Sequence, residues 1–197
     1  MKVLILTAGL GTRLRPVTND IPKPLISIGG KIVLQHIIDH LTSQGFQKQD
    51  IGINLHWMPL QIMQKFPGLY YLPEPQILGT AGTIKKLESW FSDPFFVCNG
   101  DTINSINFRE MLGEHCIQQA SVTVYTKKDA IRSGGTYLFK KHILSYIPEN
   151  TEYSIHEQLI PTLEQIGEKI VLYKPDVPYF DIGTPKGLQE ARRYFDE

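Results

Sequence analysis

The sequence predicts an α/β fold in which a mixed, mostly parallel sheet carries helices on both faces. Short apolar segments rich in β-branched residues recur along the chain, beginning with residues 3–6. Segments with helical spacing of apolar residues lie between them, beginning with residues 32–41. This alternation is typical of strands joined by crossover helices. The 197 residues contain no repeat and no linker-like stretch, so we expect one domain over residues 1–197.

The individual elements follow from local signals. Strands are predicted at residues 3–6, 51–55, 68–72, 94–98, 120–126, 136–139, 170–173 and 179–182. The first helix is expected to end at Gly45, and a short helix is expected to begin at Pro59. Further helices are predicted after residue 79, at Asn107 with Glu110 three residues on, at residues 154–163, and at residue 184, where proline takes the first helical position.

Composition narrows the class of protein. Lys plus Arg and Asp plus Glu both number 20, so no net charge draws the chain to nucleic acid or to a membrane surface. The two cysteines, Cys98 and Cys116, have no metal-binding or redox spacing and indicate reduced thiols in a cytoplasmic protein. The first apolar run is too short for a signal peptide, and no stretch is long enough for a membrane span.

The most informative stretch is residues 6–16, LTAGLGTRLRP, which follows the first strand. Gly9 and Gly11 allow the backbone to approach a ligand, and their amides can face an anion. Arg13, Arg15 and Lys23 place three cations within a short span of chain. Guanidinium groups match phosphate oxygens, so this stretch predicts a polyphosphate site. The alternative is an ordinary strand-to-loop turn with surface arginines.

Two common phosphate-binding motifs do not match this loop. The dinucleotide fingerprint requires a third glycine where Leu14 stands. The P-loop ends in Gly-Lys-Ser/Thr, but residues 30–31 are followed by Ile32.

Residues 6–16 together with residues 22–25, PKPL, resemble the signature of the sugar-1-phosphate nucleotidyltransferases, also called nucleotide-sugar pyrophosphorylases. The chain is similar in look to the compact heptose and mannose 1-phosphate guanylyltransferase branch. The resemblance implies a Rossmann-like three-layer nucleotidyltransferase fold. It also implies an enzyme of nucleotide-sugar and polysaccharide biosynthesis that joins a nucleoside triphosphate and a sugar 1-phosphate, giving a nucleotide sugar and pyrophosphate.

The resemblance also implies site residues and a cofactor. Catalytic roles fall to Arg13, Lys23 and Asp101, and Asp101 and Asp181 would hold Mg²⁺. Residues 73–82, PEPQILGTAG, resemble the segment of the family that recognises the base. Taken by itself, this stretch is better explained as a proline-bounded loop before a helix. The implied nucleotide-binding residues are Leu6, Ala8, Gly9, Gly11, Thr12, Arg13, Leu78, Gly79, Thr80 and Asn99.

The two aspartates also stand out without the resemblance. Asp101 lies just past a predicted apolar strand, where open α/β sheets bind ligands, and it suits a metal ligand. Asp181 ends another apolar segment, 179–181. If both strands are parallel to the first, both carboxylates emerge at the edge that carries Gly9. The alternatives are an ordinary Asn-Gly-Asp turn and, for Asp181, a turn or helix-cap residue.

The sequence departs from the family on the sugar side. The Glu-Lys-Pro hairpin, whose lysine and glutamate contact the sugar phosphate in the family, is absent between residues 124 and 137. Ser133 stands where many members have asparagine, and His156 stands where many have glutamate. The remaining residues that the resemblance implies for acceptor binding are Gly135, Ser133 and Glu157.

Several alternatives stay open at this point. The acceptor, the nucleobase and a homo-oligomeric state are not determined, and a cytidylyl- or thymidylyltransferase is the nearest enzymatic alternative to a guanylyltransferase. A nucleotide-binding regulatory protein would also keep the nucleotide loop and lose acceptor contacts. His36 and His40 lie one helical turn apart, which suits a zinc pair, or, in the simpler interpretation, two histidines on a helix face.

Overall fold

The structure is a computed structural model that describes residues 1–127 and 133–196. The strands are β1 Val3–Leu6, β2 Ser27–Ile28, β3 Lys31–Ile32, β4 Ile51–Leu55, β5 Tyr70–Pro73, β6 Phe95–Asn99, β7 Thr102–Asn104, β8 Val122–Thr126, β9 Ser133–Phe139, β10 Ile170–Tyr173 and β11 Tyr179–Asp181. The α-helices are α1 Val33–Ser43, α2 Pro59–Lys65, α3 Gly79–Lys86, α4 Phe108–Ile117, α5 Ile160–Gln165 and α6 Pro185–Asp196.

Seven strands form the central sheet in the order β10-β8-β9-β6-β1-β4-β5. β1 is parallel to β4 and β6, β4 is parallel to β5, and β10 is parallel to β8. Only β9 runs antiparallel to its neighbours, β6 and β8, within this sheet of the described residues. The prediction of a mixed, mostly parallel sheet is confirmed. Strict alternation of strands and helices fails at β8 and β9, which are successive strands and pair directly with each other.

The sheet is buried on both faces because its strands are apolar throughout. In β1, Val3 and Ile5 pack into one hydrophobic cluster, whereas Leu4 packs into the other. The first cluster includes α1, with Leu34 and Leu41 fully buried. The second includes α3 and α5. Helices therefore cover both faces in three layers, as expected for a buried parallel sheet.

The strand that carries Asp181 is not part of the central sheet, so the condition that it lies in that sheet as a strand parallel to β1 is not met. β11 pairs antiparallel with β7, and Asp181 lies opposite Thr102. β7 follows β6 after the turn at residues 100–101. The Ile182 backbone N–H also donates to the Asp101 carbonyl oxygen at 2.9 Å. The pairing of β11 with β7 therefore brings Asp181 beside Asp101. The sequence pattern did not predict this pairing.

The predicted helix signals are present. The Asn107 side chain accepts hydrogen bonds from the first backbone N–H groups of α4, and the Thr184 hydroxyl accepts one from Gly187 at 3.1 Å. The Nε2 atoms of His36 and His40 form hydrogen bonds with the backbone carbonyl oxygens of Ile28 and Ile106, respectively. This is the interpretation of the two residues as histidines on a helix face. No helix in the described part of the chain is both long and apolar enough to cross a bilayer.

Candidate functional site

A cavity of about 210 Å³ lies at the carboxyl ends of β6, β1, β4 and β5. Eight of the residues predicted for the site line it: Leu6, Ala8, Gly9, Lys23, Gly79, Thr80, Asn99 and Asp101. Residues from the loop after β1, the end of β6 and the start of α3 therefore meet in one place. This is the edge at which parallel sheets bind ligands, because successive strand ends and loops converge there.

The loop after β1 turns at Gly11, which has a left-handed conformation with φ of 66°. Its carbonyl oxygen accepts hydrogen bonds from the Leu14 backbone N–H and from the Thr18 hydroxyl. A Cβ atom on Gly11 would lie 3.0 Å from Thr18 Cγ2. A side chain at this position would therefore crowd Thr18 and strain the left-handed backbone. Thr12 begins the short helical turn that places Arg13.

The predicted catalytic lysine and the predicted metal ligand form an ion pair. Lys23 Nζ lies 2.5 Å from Asp101 Oδ2, and both side chains are 15% exposed. Lys23 Nζ is also 3.9 Å from the position of a Cβ on Gly9, so the ammonium faces the glycine loop. The cation and the carboxylate thus neutralise each other beside the loop, and either charge can be redirected to a phosphate or a cation.

Three predicted residues converge on one point above Gly183. A Cβ atom on Gly183 would lie 2.7 Å from Asp101 Oδ2, 3.0 Å from Arg13 Nη2 and 3.0 Å from Asp181 Oδ1. Asp181 Oδ1 also accepts a hydrogen bond from the Gly183 backbone N–H at 2.9 Å. The absence of a side chain at Gly183 is therefore what allows the guanidinium and the two carboxylates to approach one another.

The two carboxylates are a suitable part of a site for a hard divalent cation, which prefers oxygen ligands. No group of three or more His, Cys, Asp or Glu side chains arranged as a metal site occurs among the described residues. The protein would therefore supply two carboxylates, and phosphate oxygens and water the remaining ligands, which is the usual arrangement for Mg²⁺ on a nucleotide.

An aromatic residue borders the carboxylate pair. Burial raises the pKa of Tyr179, and the charges of Asp181 and Asp101 raise it further, so the phenol stays protonated beside them. The Lys127 ammonium lies 4.4 Å from the centroid of the Tyr179 ring. The ring of Tyr179 therefore binds the Lys127 cation next to the carboxylate pair.

The residues predicted to bind the acceptor are only partly brought together. A Cβ atom on Gly135 would lie 2.9 Å from Asn99 Nδ2, and the Ser133 hydroxyl accepts a hydrogen bond from the Gly135 N–H at 3.0 Å. Glu157 is exposed at the start of a helical segment, and, like Ser133 and Gly135, it does not line the cavity. Residues 128–132, within the stretch where the Glu-Lys-Pro hairpin is missing, lie outside the described residues.

The segment predicted to recognise the base is held by the chain after residue 152. The Tyr153 N–H donates to the Leu78 carbonyl oxygen at 2.9 Å, and the Ile155 N–H donates to the Thr80 hydroxyl at 2.8 Å. Leu78 is buried and does not itself line the cavity, whereas Gly79 and Thr80 do. The start of α3 is thus anchored with its first residues facing the cavity.

The site residues predicted from the sequence did not include Gly183 or the buried polar residues Thr7, Asn54, Glu74 and Thr83, although Glu74 lies within residues 73–82. The last three line the cavity at its β4–β5 end. A signal for Asn54 was present, since it is the one polar side chain within the apolar strand β4, and such a residue needs a buried partner. Glu74 had the weaker signal of a carboxylate placed directly after a strand.

Known proteins resemble this chain in sequence and in fold. A family model described as nucleotidyl transferase matches residues 2–134. The chain is 28% identical to a UTP–glucose-1-phosphate uridylyltransferase of Synechocystis sp. over 98% of its own length and 63% of that protein. It is 31% identical to a probable mannose-1-phosphate guanylyltransferase of Arabidopsis thaliana over 100% of its own length and 65% of that protein. The chain therefore spans less than two thirds of the length of these two relatives.

A relative of similar length also matches. The D-glycero-alpha-D-manno-heptose 1-phosphate guanylyltransferase of Campylobacter jejuni is 27% identical over 94% of this chain and 96% of that protein. Among solved structures, HddC from Yersinia pseudotuberculosis superposes with a TM-score of 0.81 at 23% identity, covering 98% of this chain and 99% of that one. At that identity the similarity establishes the fold.

Proposed function

Because the chain belongs to the nucleotidyl transferase family, we propose that it joins a nucleoside triphosphate and a sugar 1-phosphate, giving a nucleotide sugar and pyrophosphate. The observation that carries the proposal is the convergence of Arg13, Asp101 and Asp181 above Gly183, with Lys23 paired to Asp101. Cations and carboxylates that meet beside a glycine loop suit a polyphosphate substrate.

In the proposed reaction, a phosphate oxygen of the sugar 1-phosphate attacks the α-phosphorus of the triphosphate. The new P–O bond forms as the bond to the β-phosphate oxygen breaks, and pyrophosphate leaves with that electron pair. No protein nucleophile is required. The residues act by positioning and by neutralising charge, which accounts for most of the catalysis in phosphoryl and nucleotidyl transfer.

The roles of the residues follow from their places. The loop that carries Gly9 and Gly11, with Arg13 after it, would hold the triphosphate. Lys23 would leave Asp101 to neutralise the reacting phosphates, since an ammonium on a flexible stem can be transferred between neighbouring anions. Asp101 and Asp181 would hold Mg²⁺, which when bound offsets the negative charge of the phosphates.

We propose that the preferred substrates are GTP and a heptose or mannose 1-phosphate. We also propose that the enzyme is cytoplasmic, as a homo-oligomer or a monomer. The support is the relative of similar length, whose name gives a heptose 1-phosphate and a guanylyl group. Because the family's Glu-Lys-Pro hairpin is absent, we expect fewer contacts to the acceptor and tolerance of several hexose or heptose 1-phosphates.

The test is pyrophosphate release with Mg²⁺ across the common nucleoside triphosphates and a panel of sugar 1-phosphates. Arg13→Ala should weaken triphosphate binding at least about tenfold, because a charge-assisted contact is lost. Arg109→Ala is the matched control, since Arg109 lies near Met1 at the other end of β1. Tight nucleotide binding without release under any pairing would support the regulatory alternative and refute the enzyme. Equal affinity of the Arg13 and Arg109 variants would refute the role of Arg13.

A further inference from the structure

The central sheet has an open edge at β10. This strand is the first in the sheet order, and β8 is its only neighbour among the strands of the described residues. Leu172 is 51% exposed, and the other three residues of β10 are half-buried. An edge strand is a template for a further strand unless a charge, a proline or a bulge blocks it. Residues 170–173, IVLY, contain no charge and no proline, whereas β5 at the opposite edge ends in Pro73.

The backbone groups of Ile170 and Leu172 point away from the sheet. The Lys169 carbonyl oxygen accepts hydrogen bonds from the backbone N–H groups of Ser121 at 2.8 Å and Val122 at 3.2 Å, on the side of β8. Successive residues of a strand direct their backbone groups to opposite sides, so the odd-numbered residues of β10 face β8. Ile170 and Leu172 therefore each offer one N–H and one carbonyl oxygen to a strand on the outer side.

A second copy of β10 matches this edge when the two strands run antiparallel. If Val171 lies opposite Val171 of the second copy, Ile170 lies opposite Leu172 and Leu172 lies opposite Ile170. Both of these pairs then exchange two backbone hydrogen bonds, because all their outward groups face one another. A two-fold axis through Val171 relates the copies, so the interface is closed and uses the same surface of each chain. The side chain of the exposed Leu172 is covered by Ile170 of the second copy.

The charges that flank β10 are complementary in the same register. Glu168 lies opposite Lys174 of the second copy, and Lys174 lies opposite Glu168, so two pairs of opposite charge border the shared strands. The Glu168 carboxylate is already held in place, because it accepts hydrogen bonds from the Ser121 hydroxyl and, at 3.1 Å, from the Tyr146 hydroxyl. The hydrogen bond from Ser121 lowers the pKa of Glu168, so the group is negatively charged at neutral pH. Lys174 is exposed and can reach it.

Neighbouring registers fit less well. The directions of the backbone groups allow only shifts of two residues. A shift in one direction places Glu168 opposite Asp176, two like charges, and a shift in the other places Lys174 opposite the apolar Ile166. We propose that the chain forms a two-fold symmetric dimer in which the β10 strands of two copies pair antiparallel about Val171 and join the two central sheets into one. The dimer does not depend on the proposed reaction, since none of residues 168–174 lines the cavity.

Analytical ultracentrifugation tests the dimer. The wild-type chain at roughly 100 µM should sediment with twice the 22.4 kDa mass of one chain, because small interfaces dissociate at micromolar concentrations. Lys174→Glu places like charges opposite each other at both ends of the shared strands and should raise the dissociation constant at least about tenfold. Lys48→Glu makes the same charge change at an exposed lysine before β4, and this matched control should keep the dimer.

Disulfide formation tests the register, in a Cys116→Ser background because Cys116 is exposed. Val171→Cys places two thiols opposite each other with Cα atoms about 4.5 Å apart, within the range of a disulfide. Leu172→Cys is the matched control, because its two cysteines lie diagonally at roughly 7–8 Å. Mild oxidation should therefore give a covalent dimer of Val171→Cys and leave Leu172→Cys as single chains.

Three results would overturn the proposal: a single-chain mass for the wild type, an unchanged dissociation constant in Lys174→Glu, or cross-linking of Leu172→Cys in preference to Val171→Cys. Pyrophosphate release separates this proposal from the proposed function. A monomer that releases pyrophosphate rejects only the dimer, whereas a dimer without release rejects only the reaction.

Discussion

Gly183→Ala is the substitution that tests most directly whether the convergence of Arg13, Asp101 and Asp181 matters for activity. The new methyl group would lie 2.7 Å from Asp101 Oδ2, against an ordinary contact distance of about 3.5 Å. The carboxylate must therefore retreat by roughly 0.8 Å. Its ion pair with Lys23, at 2.5 Å, opposes that movement and transmits it to the lysine.

The expected effect is large on turnover and small on stability. A misplacement of about 1 Å in a positioned group can cost about 100-fold in rate, equivalent to about 2.7 kcal/mol of transition-state stabilisation. The folded protein loses at most about 1.5 kcal/mol, because the clashing atoms are at the ends of side chains that can change rotamer. Gly183 has no positive φ, so alanine is compatible with its backbone.

The assay is pyrophosphate release under saturating substrates, together with urea unfolding of the same samples. Gly113→Ala is the matched control, because a Cβ atom on Gly113, within α4, would meet nothing within 4 Å. That control should keep full turnover and gain stability by about 0.5–1 kcal/mol. If Gly183→Ala turns over within about twofold of wild type, the close approach of the three side chains is not needed for the reaction.

The remaining predictions concern the charged groups and one buried histidine. Asp101→Asn and Asp181→Asn should each lower turnover at least about 100-fold while the fold stays intact. The double variant should lose little more turnover than either single variant, because both carboxylates act through one cation. If the two losses multiply in the double variant, the carboxylates have independent roles. Lys23→Ala should lower kcat more than nucleotide affinity, since its charge matters most as the α-phosphorus becomes crowded, and a normal kcat with lost affinity in calorimetry would contradict this. Burial and the charge of Lys140 lower the pKa of His115 to about 4, so below pH 6.5 the unfolded state takes up a proton that the native state does not. Between pH 7 and 5 the free energy of unfolding should therefore fall by about 2 kcal/mol through this residue. In urea unfolding, the free energy of unfolding of His115→Gln should fall by about 2 kcal/mol less between pH 7 and 5 than that of the wild type. The same pH dependence in both proteins would refute this role of His115.

The sequence alone determined the central strands and the glycine loop after β1, because both depend on signals that are local in the chain. Val3–Leu6 is apolar and β-branched, which suits a strand buried on both faces whatever its neighbours are. Gly11 has the left-handed backbone that glycine favours, and Asn107 caps the helix that begins beside it. The mostly parallel sheet and the placement of Asp101 past β6 followed from the same patterns.

Only the tertiary structure decided which distant residues meet. β11 is a short strand whose pattern fits several partners, and its pairing with β7 is what places Asp181 beside Asp101. The need for glycine at position 183 arises from side chains of three separate segments and has no local signature. The buried contacts of Asn54 and Glu74 depend in the same way on β4 and β5 being neighbours. Strand pairing and burial are properties of long-range contacts, so a polar residue in an apolar stretch shows that a partner is needed, whereas only the folded chain shows which partner it is.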